Sequence, residues 1–250
     1  MPTAAVHIMK LLSITEQQGL INWSRVRDAD AAIIRFSQGS DSDCCIGIAP
    51  EISDLAETNM QGCFQASISC GVSHMLGGIT VSEVRSECTW LIRALRRVSA
   101  FHTLPLVVLC LGEHGISEKY RSCSPSHNAS LIKTAAKILS RAGYTPVLYA
   151  DRETLERCLD RKKLGKIGLW YHRPYVTERT ARAEEPDMLF WHYSVETSPR
   201  NSGISADYPV SKTENYRFEP MQPRIRCHTV GNCASAQSES QIPISAAIGW

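Results

Sequence analysis

The chain has 250 residues, of which 43% are hydrophobic and 21% charged, and its formal net charge is +2. That length suits one large α/β domain or two small ones, and the composition supplies a full core and excludes global disorder. Charge of mixed sign excludes a polyelectrolyte surface, so no nucleic-acid partner is expected; no apolar run reaches the length of a membrane-crossing helix, so no membrane partner is expected either.

The N-terminus, "MPTAAVHIMKLLSI", carries His7 and Lys10 inside its apolar stretch and does not read as a secretory signal. From there, candidate strands and helices alternate. "KLLSIT" (10–15) reads as a first strand, "AAIIRFS" (31–37) as a second and "CGVSHML" (70–76) as a third. Thr80 and Glu83 then form a capping-box pattern before a helix that places Val84, Cys88, Leu91 and Leu95 on one face. "LPLVVLCL" (104–111) is a fourth strand, apolar enough to be buried on both faces. "SLIKTAAKILSRAGY" stripes Leu131, Ala135, Ile138 and Leu139 along a helix that stops at Gly143. "TPVLYA" (145–150), "KIGLWYH" (166–172) and "MLFWHYS" (188–194) complete the strands. Such alternation with short connections argues for a parallel sheet or barrel.

After Tyr216 the periodicity ends, and a stretch rich in Ser, Pro and Gln reads as a mobile, low-complexity tail over 217–250. Ten cysteines are scattered along the chain, several in apolar settings (Cys88, Cys110, Cys158), which fits reduced, buried thiols better than a disulfide framework. No C-x-x-C occurs, and the nearest cluster, "CHTVGNC" from Cys227 to Cys233, lies in the polar tail. Neither a metal nor a cofactor is expected.

Several segments, in order, resemble the family-25 glycoside hydrolases, the lysozymes or N-acetylmuramidases. "QGLINWSRVRDADAAIIRFSQG" is similar to the family's opening Gln-Gly-x-Ile-Asp-Trp segment and its Ile-Ile-Arg strand. "NMQGCFQASISCGVSHML" resembles its Asn-bearing helix and Gly-Val-Tyr-His strand, and "GYTPVLYADRETLERCLDRKKLGKIGLWYHRPY" its Gly-Tyr-x-Pro-x-Ile-Tyr unit and Leu-Trp strand. "LFWHYS" followed by "GIS" resembles the closing Trp-Gln-Tyr-Ser and Gly-Ile segments. The resemblance spans residues 9–216 and implies an α/β fold: an irregular, TIM-like (β/α) barrel with its groove at the C-terminal ends of the strands. Peptidoglycan or a related polysaccharide is the implied partner, and Arg35, His74, Trp170, Tyr171, Trp191 and Tyr193 are the implied glycan-binding residues.

The acidic positions depart from the family pattern. Glycosidic cleavage needs two carboxyl groups flanking the bond. The family's first strand carries an Asp where this chain has Ser13. Its fourth strand ends in Asp-x-Glu, and here one register sets Cys110 and Gly112 at those positions. A slip of one residue sets Leu111 and Glu113 there instead, and needs a bulge at Gly112. The family's late Asp has Asp207 as an out-of-register counterpart. Serine and cysteine hold no negative charge at neutral pH in an ordinary setting.

Glu113 therefore reads either as a surviving general acid or as a solvated loop carboxylate beside His114. Cys110 reads as a small buried thiol, or as a nucleophile with His114 as its base, which needs a lowered thiol pKa. The leading expectation is a lysozyme-fold protein with impaired catalysis that binds cell-wall glycan or serves as a scaffold. The alternative is a working muramidase with Glu113 as acid and a substrate group or Asp207 as its partner. The cysteines point to a reducing, cytoplasmic interior, whereas the resemblance implies action outside the cell; phage- or tail-associated delivery would reconcile the two.

Overall fold

Strand runs with no polar face need cover on both sides, and the chain supplies it by curling its sheet round on itself. A computed structural model describes residues 9–26, 29–39, 51–112, 115–197 and 209–215. Nine strands follow in order: β1 (Met9–Ile14), β2 (Ala31–Gln38), β3 (Glu51–Ile52), β4 (Ser69–Met75), β5 (Leu106–Cys110), β6 (Thr145–Asp151), β7 (Gly168–His172), β8 (Phe190–Thr197) and β9 (Pro209–Asn215). Parallel pairing runs β1–β2–β4–β5–β6–β7–β8. β9 then lies antiparallel between β8 and β1 and closes the ring. β3 adds only a short antiparallel edge to β2. The result is the expected irregular, TIM-like (β/α) barrel.

Helices cover the outside. α1 (Ala56–Gln65) joins β3 to β4, and α2 (Val81–Arg97) joins β4 to β5. The short α3 (Glu118–Arg121) and the long α4 (Pro125–Arg141) precede β6. A π-helical turn over Thr154–Cys158 and α5 (Arg161–Leu164) precede β7, and α6 (Glu178–Glu184) precedes β8. The capping box at α2 is formed as its sequence predicts: Thr80 Oγ1 accepts from the Glu83 N–H at 3.2 Å, and Glu83 Oε2 accepts from the Thr80 N–H at 3.0 Å. Val84, Cys88, Leu91 and Leu95 are all buried beneath it. Ser124 caps α4 and Pro125 fills its first turn, where a missing N–H costs nothing; α4 ends at Arg141, and Gly143 turns away at φ 94°.

Alternation along the strands divides the core into two layers. Inside the ring sit Leu11, Ile33, Val108, Tyr149, Trp170 and Phe190. Between ring and helices lie Ile14, Ile34, Val72, Leu109 and Leu148, with the apolar faces of α1, α2 and α4. A bulge in β2 between Arg35 and Ser37 resets the alternation, so that Ser37 pairs with His74 on the outer side while Arg35 stays on the inner one.

The expected strands all form, with boundaries moved by a few residues. Thr15 lies outside β1 because it caps a 3₁₀ turn, Glu16–Gln18. Among the described residues no helix is long and apolar enough to cross a membrane. These residues all fall in one compact unit, Met1–Phe218. The expected tail at 217–250, with Cys227 and Cys233, lies outside the described residues.

Candidate functional site

The C-terminal ends of the parallel strands open at one end of the ring, where barrels of this type place their chemistry. β2 delivers Arg35, β5 Cys110 and then Gly112, β6 Tyr149 and Asp151, β7 His172, and β8 His192. Ser13 of β1 shares the face of Leu11 and so points the same way. Trp170 and Phe190 form the apolar floor, with the Trp170 ring edge-on to Tyr149 at 5.6 Å between centroids.

Three ring groups meet above that floor. The Tyr149 hydroxyl hydrogen-bonds Nδ1 of His172 and, at 2.9 Å, Nδ1 of His192. The two imidazole Nδ1 atoms are 3.0 Å apart. A chain of two protons satisfies the three atoms: one imidazole N–H donates to the phenol oxygen, whose own hydrogen goes to the other imidazole. Burial pushes the Tyr149 phenol well above its usual range; Cys110 and Asp151 add to the rise and Arg35 opposes it, so the group stays a neutral donor.

Burial likewise pushes the Cys110 thiol up to about 11, although nearby Arg35 acts in the opposite direction. At neutral pH the group is an un-ionised thiol, which rules it out as a nucleophile poised for attack. At the end of β5 two successive residues fall on opposite faces. Cys110 belongs to the inner layer and Leu111 to the outer one. Gly112 is tightly enclosed: a Cβ there would lie 2.8 Å from the backbone nitrogen of Ser117. Glu113, His114 and Asp207 lie outside the described residues.

Asp151, at the end of β6, is a mouth carboxylate that sequence reasoning missed. One of its oxygens accepts the Thr154 N–H at 2.8 Å, and the other would lie 2.9 Å from a Cβ at Gly115. Two further carboxylates, Glu16 and Asp54, line a cleft of about 480 Å³ together with Arg35. Among the described residues, no group of three His, Cys, Asp or Glu side chains could hold a metal ion.

The residues expected to bind glycan separate into two sets. Arg35 lies at the mouth, and Trp170, 2% exposed, lies beneath it as floor. Tyr171, Trp191 and Tyr193 are on the other face of the sheet, one residue out of phase with their inward neighbours. Tyr171 donates to Glu184 of α6 at 2.6 Å, and Trp191 Nε1 donates to the Arg173 carbonyl at 3.0 Å while its ring packs on Tyr193. His74 also faces outward, held by Ser37 Oγ at 2.8 Å on Nδ1 and by Glu87 Oε1 at 2.8 Å on Nε2. This Ser–His–Glu chain is not a nucleophilic relay, because Ser37 is 1% exposed and turned into the helix layer. It ties β2 and β4 to α2.

The sequence matches no family model and no curated protein. Solved structures do resemble this one. The modular autolysin LytC of Streptococcus pneumoniae, in complex with a synthetic peptidoglycan ligand, superposes with a TM-score of 0.65 at 18% identity over 84% of this chain. This chain spans about half (47%) of that one. The catalytic domain of endolysin ply40, from a bacteriophage of Listeria monocytogenes, gives 0.62 at 16% identity, covering 84% of this chain and 94% of its own. A family GH25 lysozyme from Aspergillus fumigatus gives 0.58 at 13% identity, covering 86% and 96%. The fold is that of the family-25 glycoside hydrolase lysozymes.

Proposed function

We propose that this lysozyme-fold chain binds cell-wall peptidoglycan, or a related polysaccharide, at its barrel mouth and that its capacity to cleave the glycan is impaired. The observation that carries this reading is the end of β5, where the last inward side chain is a buried, un-ionised Cys110 and an enclosed Gly112 follows two residues on. With Ser13 near the end of β1, the register that matches Cys110 and Gly112 to the family's acidic pair leaves three such positions without a carboxyl group. Hydrolysis requires two such groups about 5–9.5 Å apart across the bond, and general acid–base assistance alone is worth about 10²–10⁴-fold. Arg35, Tyr149, His172 and His192 offer donors and acceptors suited to sugar hydroxyls, above an apolar floor. The peptidoglycan ligand carried by the pneumococcal autolysin supports the choice of glycan.

Co-sedimentation with purified sacculi, paired with turbidity and reducing-end assays, tests the reading. Binding without release of reducing ends supports it. Lysis that disappears in Glu113→Gln or Asp151→Asn overturns it in favour of a working muramidase, a second reading kept because Asp151 places one carboxylate at the mouth. Absence of binding leaves a scaffold role.

A further inference from the structure

Beside the mouth, between the ends of β6 and β7, lies a second cleft of about 590 Å³, within the size range of small-ligand sites. Its charges balance: Arg152, Arg157 and Arg173 face Asp151, Glu153 and Glu156. Neither a polyanion nor a polycation is favoured there. Most of the charged groups are also paired: Arg152 with Glu156 and Glu184, Arg173 with Glu184, Glu153 with Arg121, and Asp151 with the Thr154 N–H. A neutral ligand with many hydroxyls matches such fixed donors and acceptors of both kinds.

Tyr175 forms the rim of this cleft. It is 84% exposed, the most exposed of the large apolar or aromatic side chains described, and its backbone is left-handed at φ 63°. That conformation is uncommon for a bulky residue and persists only where the surroundings impose it. Here they do. The Arg173 N–H donates to the His192 carbonyl at 3.1 Å, the Tyr175 N–H to the Tyr193 carbonyl at 3.4 Å, and Trp191 Nε1 to the Arg173 carbonyl. A segment fastened to β8 at three points thus presents an aromatic ring to water. Because the backbone that carries the ring is already positioned, a ligand stacking on it has only the side chain to order.

We propose that Tyr175 is the stacking platform of a pyranose subsite, with Asp151, Arg157 and His172 at the cleft wall to receive the sugar's hydroxyls. This deepens the glycan-binding reading and rests on it. It also assigns a role to an aromatic residue outside the set that the sequence resemblance singled out.

Tyr175→Gly is the informative variant, since it removes the ring and also relieves the left-handed backbone. Its thermal midpoint is expected to equal or exceed that of the parent, so lost binding cannot be ascribed to unfolding. Binding of the full chain to an N-acetylglucosamine tetramer is measured by calorimetry, and to insoluble sacculi by co-sedimentation. Tyr175→Gly is expected to weaken binding about tenfold, equivalent to about 1.4 kcal/mol, and Tyr175→Trp to retain it. Parent-like binding by Tyr175→Gly overturns the subsite and leaves the proposed function standing. Failure of the parent chain to bind either probe overturns both.

Discussion

The two buried titrating groups with the clearest surroundings, Cys110 and Glu87, carry residue-scale predictions. Cys110, with its thiol raised to about 11, is expected to resist iodoacetamide at pH 7.5 in the folded protein and to react in the denatured chain, as read by mass spectrometry. Burial alone would raise the Glu87 carboxyl. The hydrogen bond and charge of His74, with the N–H groups of Gly77 and Gly78, outweigh burial and hold it below its usual value. A depressed carboxylate stabilises the fold above its unfolded pKa, and that stability is lost as pH falls through the folded one. Glu87→Gln is therefore expected to cost about 1–3 kcal/mol at pH 7, with the gap to the parent closing below about pH 4.5 in urea titrations. The same scale explains which site residues were legible in the sequence. Trp170 and Tyr171 cannot both face the mouth, nor can Trp191 and Tyr193 share a face with His192, because side chains along a strand alternate. Aromatic type drew attention to Tyr171, Trp191 and Tyr193; the period of two points instead to His172, His192 and Tyr149. The bulge that separates Arg35 from Ser37 left no such trace in the sequence.

Elements were legible wherever their signals are local. The box at Thr80 and Glu83 and the stripe under α2 specify that helix unaided, and Thr80→Ala is expected to cost about 1 kcal/mol in a urea titration. α4 was legible for the same reason, with apolar spacing along its length and a glycine after its end. β9 was not. Its sequence, "PVSKTEN", offers a single strongly apolar residue, Val210, and its strand state comes from the two edges, β8 and β1, that it lies between. Pairing of that kind joins residues about two hundred positions apart, such as Met9 and Asn215, and no local window contains it. Segments such as α6, seven residues long, depend similarly on tertiary anchors: Glu184 receives Arg173, Arg152 and Tyr171.

The whole molecule is organised around the inner layer, and Trp170 is its largest fully buried side chain. Trp170→Ala is expected to cost about 3–5 kcal/mol through the cavity it opens, visible as a lowered urea midpoint. The fold class was legible because the strand–helix alternation fixes a parallel sheet with its cover. The closure into a barrel was implied by the family resemblance and not by the alternation, because it rests on β9. That last strand has a bearing on how the chain comes into being. At synthesis rates of about 5–20 residues per second, β1 emerges about two hundred residues ahead of β9 and keeps one bare edge until that antiparallel neighbour has left the ribosome. Throughout that interval β1 and β8 are adhesive borders of the kind that recruit foreign strands. The nascent chain is thus most prone to aggregate in the interval before β9 is released, and a chaperone that shields those borders would raise its yield more than one that binds the helices.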